Sequence, residues 1–324
     1  MLPRHDFAAD FVLPTPDGVP TRFFGLAGGR TTLLVFVPPV ANVATLRELS
    51  ALAEETDSAL YLVLAEGAAS GLGGVKAFVD AEAQIRRRYR VDDGLCLFVL
   101  NENLRVLESC SADHAACARA AIARARRLPS LDSAPVLLIP HALDHAVCDR
   151  LAALVDSEGA KVSGVERSRD GRRRLELAPD TKRRRDLTLE GGPLMVELTA
   201  AVGKRVMPEV LKAFSFRATR FEGFKVARYE AENGGFFMRH RDNLSPLTSH
   251  RRFALTLHLN DGYQGGELQF PEYGSARYRL DKGGAVVFSG SLMHEVLPVT
   301  RGKRDVLLTF LFGEQDGARH RPRG

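Results

Sequence analysis

The chain has 324 residues, enough for two domains of ordinary size that each bury a core, and its 45 lysines and arginines outnumber 40 aspartates and glutamates for a net charge of +5. The N-terminus, MLPRHDFAADF, lacks the basic-then-apolar layout of a secretion signal, and apolar runs such as TTLLVFV are too short to span a bilayer. A soluble, cytoplasmic protein with no membrane partner is therefore expected, and four cysteines with no Cys-x-x-Cys pair fit reduced thiols better than a disulfide framework or zinc knuckle.

The first part alternates strand and helix patterns. TTLLVFV reads as a strand, TLRELSALAEE as a helix, ALYLVLAEG as a strand and VKAFVDAEAQIRRRY as a helix. Two strand-like runs around an Asn-rich turn, LCLFVLNENLRVLES, and the helix DHAACARAAIARARR close an α/β domain over residues 1–128. Pro, Ser and Asp collect in RRLPSLDSAPVLLIP, and the boundary is placed there. A second domain over 134–316 begins with helical segments, ALDHAVCDRLAALVDSEG and LTLEGGPLMVELTAAVGKRVMPEVLKAF. Beyond residue 219 come short strands parted by Gly and Asn turns, among them EGFKVARYE, RFALTLHLN, GGELQF, GAVVFSG and DVLLTFLFG, the texture of a sandwich or barrel. Residues 317–324 form a basic tail, expected to be disordered with its flank from Asp316.

Three RRR runs, at 86–88, 172–174 and 183–185, are scattered and lack interleaved aromatics. They read as solvated faces rather than a nucleic-acid surface.

The stretch FMRHRDN, 237–243, admits two chemistries. A kinase catalytic loop needs an Asn five residues after the Asp and a downstream Asp-Phe-Gly; that position is Leu247, and Asp-Phe-Gly is absent. The other chemistry is a non-haem iron site, where two His and one carboxylate occupy one face of the metal and leave three positions open. His240 and Asp242 supply two ligands, and His294, at the start of a strand-like run in SGSLMHEVLPVTRGKRD, is the natural third. A zinc-protease His-Glu motif fails because Pro298 stands four residues after His294. Arg304 lies on the next strand, where a guanidinium can clamp a distal carboxylate with two parallel hydrogen bonds.

The segment from about 225 to 313 resembles the catalytic core of the prolyl 4-hydroxylase-type 2-oxoglutarate/Fe(II) dioxygenases. The match runs through ARYEAENGGFFMRHRDN, RRFALTLHLND with GGELQF, and HEVLPVTRGKRDVLLTFLF in order and spacing. The resemblance implies a double-stranded β-helix, or jelly roll, with flanking helices. It also implies iron on His240, Asp242 and His294, and the distal carboxylate of 2-oxoglutarate on Arg304. Tyr229 is implied as a pocket residue. His258 stands where many members carry a pocket tyrosine, a departure that leaves it as a cofactor-binding candidate. Fe(II), 2-oxoglutarate, dioxygen and a response to ascorbate come with the same resemblance.

Residues 1 to about 127 resemble a peroxiredoxin-like thioredoxin fold, from DFVLPTPDGVPTRFFGL to LCLFVLNENLRVL. That family's active loop reads Pro-x-x-x-Thr-x-x-Cys; here Pro38, Asn42 and Thr45 hold the spacing, and Thr45 occupies the attacking cysteine's place. A threonine hydroxyl is not ionised near neutral pH, so no peroxidase activity is expected. Cys110 and Cys117, in CSADHAAC, are read as two unrelated reduced thiols in preference to a displaced redox pair, and Cys96 and Cys148 as small buried apolar residues.

The expected function is hydroxylation of an unactivated C–H bond, with a peptide or protein proline ahead of a free amino acid or other small molecule. Nucleic-acid repair dioxygenases stand further off, because the arginine they resemble carrying six residues after Arg304 is Phe310 here. A non-catalytic interaction scaffold is the alternative of another class. A thioredoxin-like edge or a barrel edge could each support a homodimer.

Overall fold

The computed structural model describes residues 1–68, 72–125, 133–169 and 172–318. It separates into two compact units, Met1–Ser133 with Pro271–Gly274, and Ala134–Phe270 with Ser275–Gly324.

The first unit is built on β1 (Thr32–Val37), α1 (Val43–Glu55), β2 (Ala59–Leu64), β3 (Lys76–Val79), α2 (Gln84–Tyr89), β4 (Cys96–Leu100), β5 (Val106–Cys110) and α3 (His114–Ala125). The sheet order is β3-β2-β1-β4-β5, with β1, β2 and β3 parallel and β4 and β5 antiparallel. β1 is buried along its whole length, which is why it reads as an unbroken apolar run. Its alternate side chains part into two cores. Leu34 and Phe36 join an aromatic cluster with Phe23, Phe78, Tyr89 and Phe98, while Leu33, Val35 and Val37 pack with Leu46 and Leu49 of α1 and Ile122 of α3.

Two expectations, one of secondary structure and one of cysteine state, change in this unit. The stretch VKAFVDAEAQIRRRY is not one helix: Lys76–Val79 pairs in parallel with β2, and only Gln84–Tyr89 is helical. Asp80 separates the two, its Oδ2 accepting the amide protons of Ile85 at 3.0 Å and Arg86 at 2.9 Å and so capping α2. Cys110 and Cys117 are not two reduced thiols but a disulfide, with Cα atoms 6.2 Å apart. The chain reverses from the end of β5 into the first turn of α3, and that reversal brings the two residues within bridging reach. Cys96 and Cys148 are free and buried.

The second unit contains β6 (Val136–Ile139), α4 (His145–Glu158), β7 (Lys182–Arg183), β8 (Arg185–Thr188), α5 (Gly192–Ala201), α6 (Met207–Phe214), β9 (Lys225–Glu230), β10 (Phe236–His240), β11 (Phe253–His258), β12 (Leu268–Gln269), β13 (Arg277–Tyr278), β14 (Ala285–Ser289), β15 (His294–Val296) and β16 (Lys303–Phe312). A large antiparallel sheet runs β6-β14-β11-β16-β9-β8 and ends on Lys161–Val162; a smaller one runs β7-β10-β15-β12-β13. The large sheet thus recruits strands from well before residue 219. Leu187 and Thr188, expected as the start of a helix, belong to β8. They pair with Val226 and Lys225, and the Gly191–Gly192 turn delays the helix to Gly192.

One face of the large sheet is sealed by helices. Cys148, Leu151 and Val155 of α4, with Leu198 and Val210 of α5 and α6, pack on Val226, Leu255, Val287 and Leu307. The alternate residues of β9 and β16, including Tyr229 and Arg304, face away from that cluster. There side chains of the two sheets meet: Phe288 of β14 lies 4.6 Å, centroid to centroid, from the ring of His294 on β15. Near the C-terminus, Glu314–Ala318 is helical rather than disordered, and Asp316 is held at 2.5 Å by Arg252. Residues 319–324 of the basic tail lie outside the described residues.

Candidate metal and cosubstrate site

His240 ends β10 and His294 begins β15, and the two are direct partners across the antiparallel ladder. Cross-strand neighbours on one face are close, and their ring centroids are 4.3 Å apart. Asp242 is fixed two residues after His240 by its backbone N–H, which donates to Gly290 O at 2.9 Å. Gly290 can only be glycine here, since a Cβ would lie 2.8 Å from the carbonyl oxygen of Arg251. His240 Nε2 is 3.6 Å from Asp242 Oδ1 and His294 Nε2 is 3.5 Å from Oδ2; one ligand atom from each residue falls within 4.8 Å of the others.

The protonation of both rings follows from their other nitrogen. His240 Nδ1 is 2.8 Å from Met238 O and His294 Nδ1 is 3.0 Å from Leu292 O. A carbonyl only accepts, so each Nδ1 carries the proton and each Nε2 presents a lone pair. Asp242 Oδ2 is buried with no hydrogen-bond partner. Burial raises the Asp242 pKa, while burial and then the neighbouring His294 lower that of His240 well below the usual imidazole value. Two bare imidazole lone pairs and one unsatisfied carboxylate oxygen at one point are the donor set of a divalent metal, whose charge would reverse both shifts.

Arg304 is 1% exposed, the largest fully buried side chain described, and none of its three guanidinium nitrogens completes a hydrogen bond. A buried, unpaired guanidinium is costly, so the site is shaped for an anion from outside the chain. Tyr229, its direct partner on β9, places its ring 5.0 Å from the guanidinium carbon. Gly266 makes room for the stem: a Cβ there would lie 2.7 Å from Arg304 Cδ and 2.9 Å from Val299 Cγ2. His258 is fully buried; Nδ1 meets Tyr263 Oη at 3.2 Å and Nε2 has no partner. The structure thus brings His240, Asp242 and His294 together, and it sets Arg304, Tyr229 and His258 on one face of the large sheet.

Sequence reasoning missed a polar wall behind Phe237. Its ring stacks on His240 at 3.7 Å, with Lys182 Nζ 4.9 Å and the Arg184 guanidinium 5.8 Å from its centroid. Arg184 is bidentate to Asp186 at 2.6 and 2.7 Å and donates to Tyr229 Oη at 3.3 Å. Burial works against the Asp186 carboxylate, but Arg184, Lys182 and the Ser163 hydroxyl outweigh it and leave its pKa lowered. Two of the arginines read as solvated are therefore withdrawn from solvent. Arg184 is half-buried, with 11% side-chain exposure, and Arg86, buried at 6% exposure, donates to Gly94 O at 2.7 Å. For Arg184 the available signal was strand periodicity, since the middle of three arginines on an extended chain faces the opposite way from its neighbours. The side chains of Arg172–Arg174 lie outside the described residues.

Residues 224–312 match the family model of the 2OG-Fe(II) oxygenase superfamily. The chain carries a 2OG-Fe(II) oxygenase domain. It is an enzyme of the 2-oxoglutarate/Fe(II)-dependent dioxygenase class, and the superfamily implies Fe(II) and 2-oxoglutarate, which the donor set and Arg304 suit. Among curated relatives, the PKHD-type hydroxylase of Xanthomonas euvesicatoria is 26% identical over 181 residues, 52% of this chain and 75% of the relative. That of a Polaromonas species is 33% identical over 108 residues, 33% of this chain and 44% of the relative. The oxygenase chain thus spans less than half the length of the Polaromonas relative. Among solved structures, a Pseudomonas putida prolyl-4-hydroxylase has a TM-score of 0.45 at 24% identity, covering 56% of this chain and 95% of that one. The Trichoplax adhaerens prolyl hydroxylase, solved with a peptide fragment of hypoxia inducible factor, has a TM-score of 0.47 at 17% identity, covering 58% and 88%. Among the described residues, no helix is long and apolar enough to cross a membrane.

Proposed function

We propose that the oxygenase hydroxylates an unactivated C–H bond of a prolyl residue in a peptide or protein, using His240, Asp242 and His294 to hold iron and Arg304 to hold 2-oxoglutarate. The observation that carries this reading is the fully buried Arg304 guanidinium, unpaired at all three nitrogens, in the same unit as the His-Asp-His set. Fe(II), with 2-oxoglutarate and dioxygen, supplies the oxidising power to insert an oxygen atom into a C–H bond.

The chain's own part is positioning. The Nδ1 hydrogen bonds aim both imidazoles, three protein ligands would leave room on a bound metal for the cosubstrate and dioxygen, and Arg304 would orient the cosubstrate by its far end. His240 is the most open ligand, with 23% side-chain exposure against 9% for Asp242 and 6% for His294. Substrate is therefore placed on the His240 side, where Met238 and Arg239 are also exposed. The deeper side, lined by Phe270 and Phe288 around His294, keeps water from the oxidant. The hydroxylase reading is supported by the PKHD-type hydroxylase relatives, and its prolyl form by the motif order in 225–313. Ascorbate sustaining turnover belongs to the same reading.

For the first unit we propose a thioredoxin-like platform without peroxidase chemistry, because Thr45, in the first turn of α1, stands where the attacking thiol would be needed. Such a platform could present a protein substrate or support a homodimer. The test of the central reading is succinate formation from 2-oxoglutarate coupled to one added oxygen atom on proline-containing peptides, beside a panel of free amino acids. Hydroxylation of an amino acid with no peptide turned over would transfer the activity to the small-molecule class.

A further inference from the structure

The Arg304 pocket holds a second buried donor system that the reading above leaves unused. Tyr263 is 3% exposed and pinned from two directions. The Arg279 guanidinium lies 3.9 Å over its ring, and Arg279 Nη1 donates to its backbone carbonyl at 2.9 Å. Its hydroxyl meets His258 Nδ1 at 3.2 Å, and Arg304 is close enough to bear on the same phenol through its charge. His258 pairs with Val306 across the ladder, two residues from Arg304, so the imidazole and the guanidinium stand on the same face of the large sheet.

We infer that Tyr263 is a cosubstrate-binding residue that donates its hydroxyl proton to the remote carboxylate held by Arg304, with His258 as the positioning residue that turns the hydroxyl toward it. This rests on the reading of Arg304 as the 2-oxoglutarate clamp. A guanidinium has only donors, so the phenol proton cannot point at Arg304 and must go either to His258 Nδ1 or to an incoming anion. If Nδ1 carries the imidazole proton, it donates to Tyr263 Oη, the phenol proton is free for the carboxylate, and Nε2 is left as a bare lone pair. That tautomer fits the pocket, where Nε2 has no partner and an N–H would be stranded. Burial first, then Arg304 and Arg279, hold the His258 pKa down to about 3, so the ring is neutral and keeps one proton to place.

A phenol donor lost from a carboxylate buried in this pocket leaves one anionic oxygen unsatisfied, and about a 10- to 100-fold loss of affinity is expected. The test is calorimetric titration of 2-oxoglutarate into protein loaded anaerobically with Fe(II). Tyr263→Phe should weaken binding by that factor while iron content and the thermal transition stay as in the wild type. His258→Leu should weaken binding in the Tyr263 background and have little further effect in Tyr263→Phe, and His258→Asn, whose amide can stand in for Nδ1–H, should recover part of the loss. Unchanged affinity in Tyr263→Phe overturns the inference, as do equal losses from His258→Leu in both backgrounds. Should His258→Leu not fold, Tyr263→Phe and His258→Asn decide alone. Wild-type binding lost in Arg304→Ala but kept in Tyr263→Phe sinks only this inference; iron-loaded wild type that binds no 2-oxoglutarate sinks the clamp with it.

Discussion

In the first unit, folding accounts for nearly all the buried polarity. Tyr61 Oη donates to Leu26 O at 2.9 Å, Tyr89 Oη to Ala9 O at 2.6 Å, and Asp80 caps α2; among the described residues of this unit, Arg86 Nη1 is the exception. Among the described residues of the second unit, the unsatisfied buried atoms include Asp242 Oδ2, His258 Nε2, Glu267 Oε2 and the three nitrogens of Arg304. Unpaired buried groups are expensive, and a fold keeps several together where something outside the chain completes them. The contrast sets a packing unit, whose buried polar groups close on one another, apart from a candidate binding unit that leaves several open.

The largest effect should come from removing a ligand. His294→Ala should abolish turnover and lower iron content while the far-ultraviolet circular dichroism stays native; undiminished turnover would take His294 out of the site. The next tests an ion cluster of the binding unit, Arg228 with buried Asp305 at 2.7 Å and with Asp156. Arg228→Ala leaves Asp305, 3% exposed, without its counter-ion and should cost about 3–5 kcal/mol in denaturant unfolding. Third is a pH effect. Burial opposes the Glu222 carboxylate, but hydrogen bonds from Arg251 and His250 outweigh it and lower its pKa from the usual 4.5. A group with a depressed folded pKa contributes stability above its unfolded value and loses it on acidification. The thermal midpoint should therefore fall as pH drops below about 4.5, and Glu222→Gln should flatten that fall. The smallest is local to the packing unit: Asn42 Oδ1 accepts Ala44 N–H at 2.9 Å at the start of α1, and Asn42→Ala should cost about 1 kcal/mol by the same unfolding assay.

The site was more legible than parts of the fold around it. His240, Asp242, His294 and Arg304 could be found because metal and carboxylate chemistry admit few residue types, and β-strands present them at fixed spacings. Lys76–Val79 was misread because Val75, Phe78 and Val79 suit a helix stripe as well as a short parallel strand, and only the partner β2 decides. Arg184 and Arg86 were hidden inside charge runs, whose neighbours are solvated for the reason that made the whole run look solvated. Tyr263 sits in a Gly-rich turn where nothing in its spacing announces burial. The Cys110–Cys117 bridge depends on how the chain reverses between β5 and α3, a tertiary property absent from a count of intervening residues.

Each ligand histidine is braced by a carbonyl two residues back on its own chain, Met238 O and Leu292 O. The rings therefore take their aim from the local backbone and need no ion to set it. Iron should behave as a removable tenant rather than a structural rivet: chelation should leave a folded apoprotein, metal should reload without a refolding step, and added Fe(II) should raise the melting temperature only through mass action.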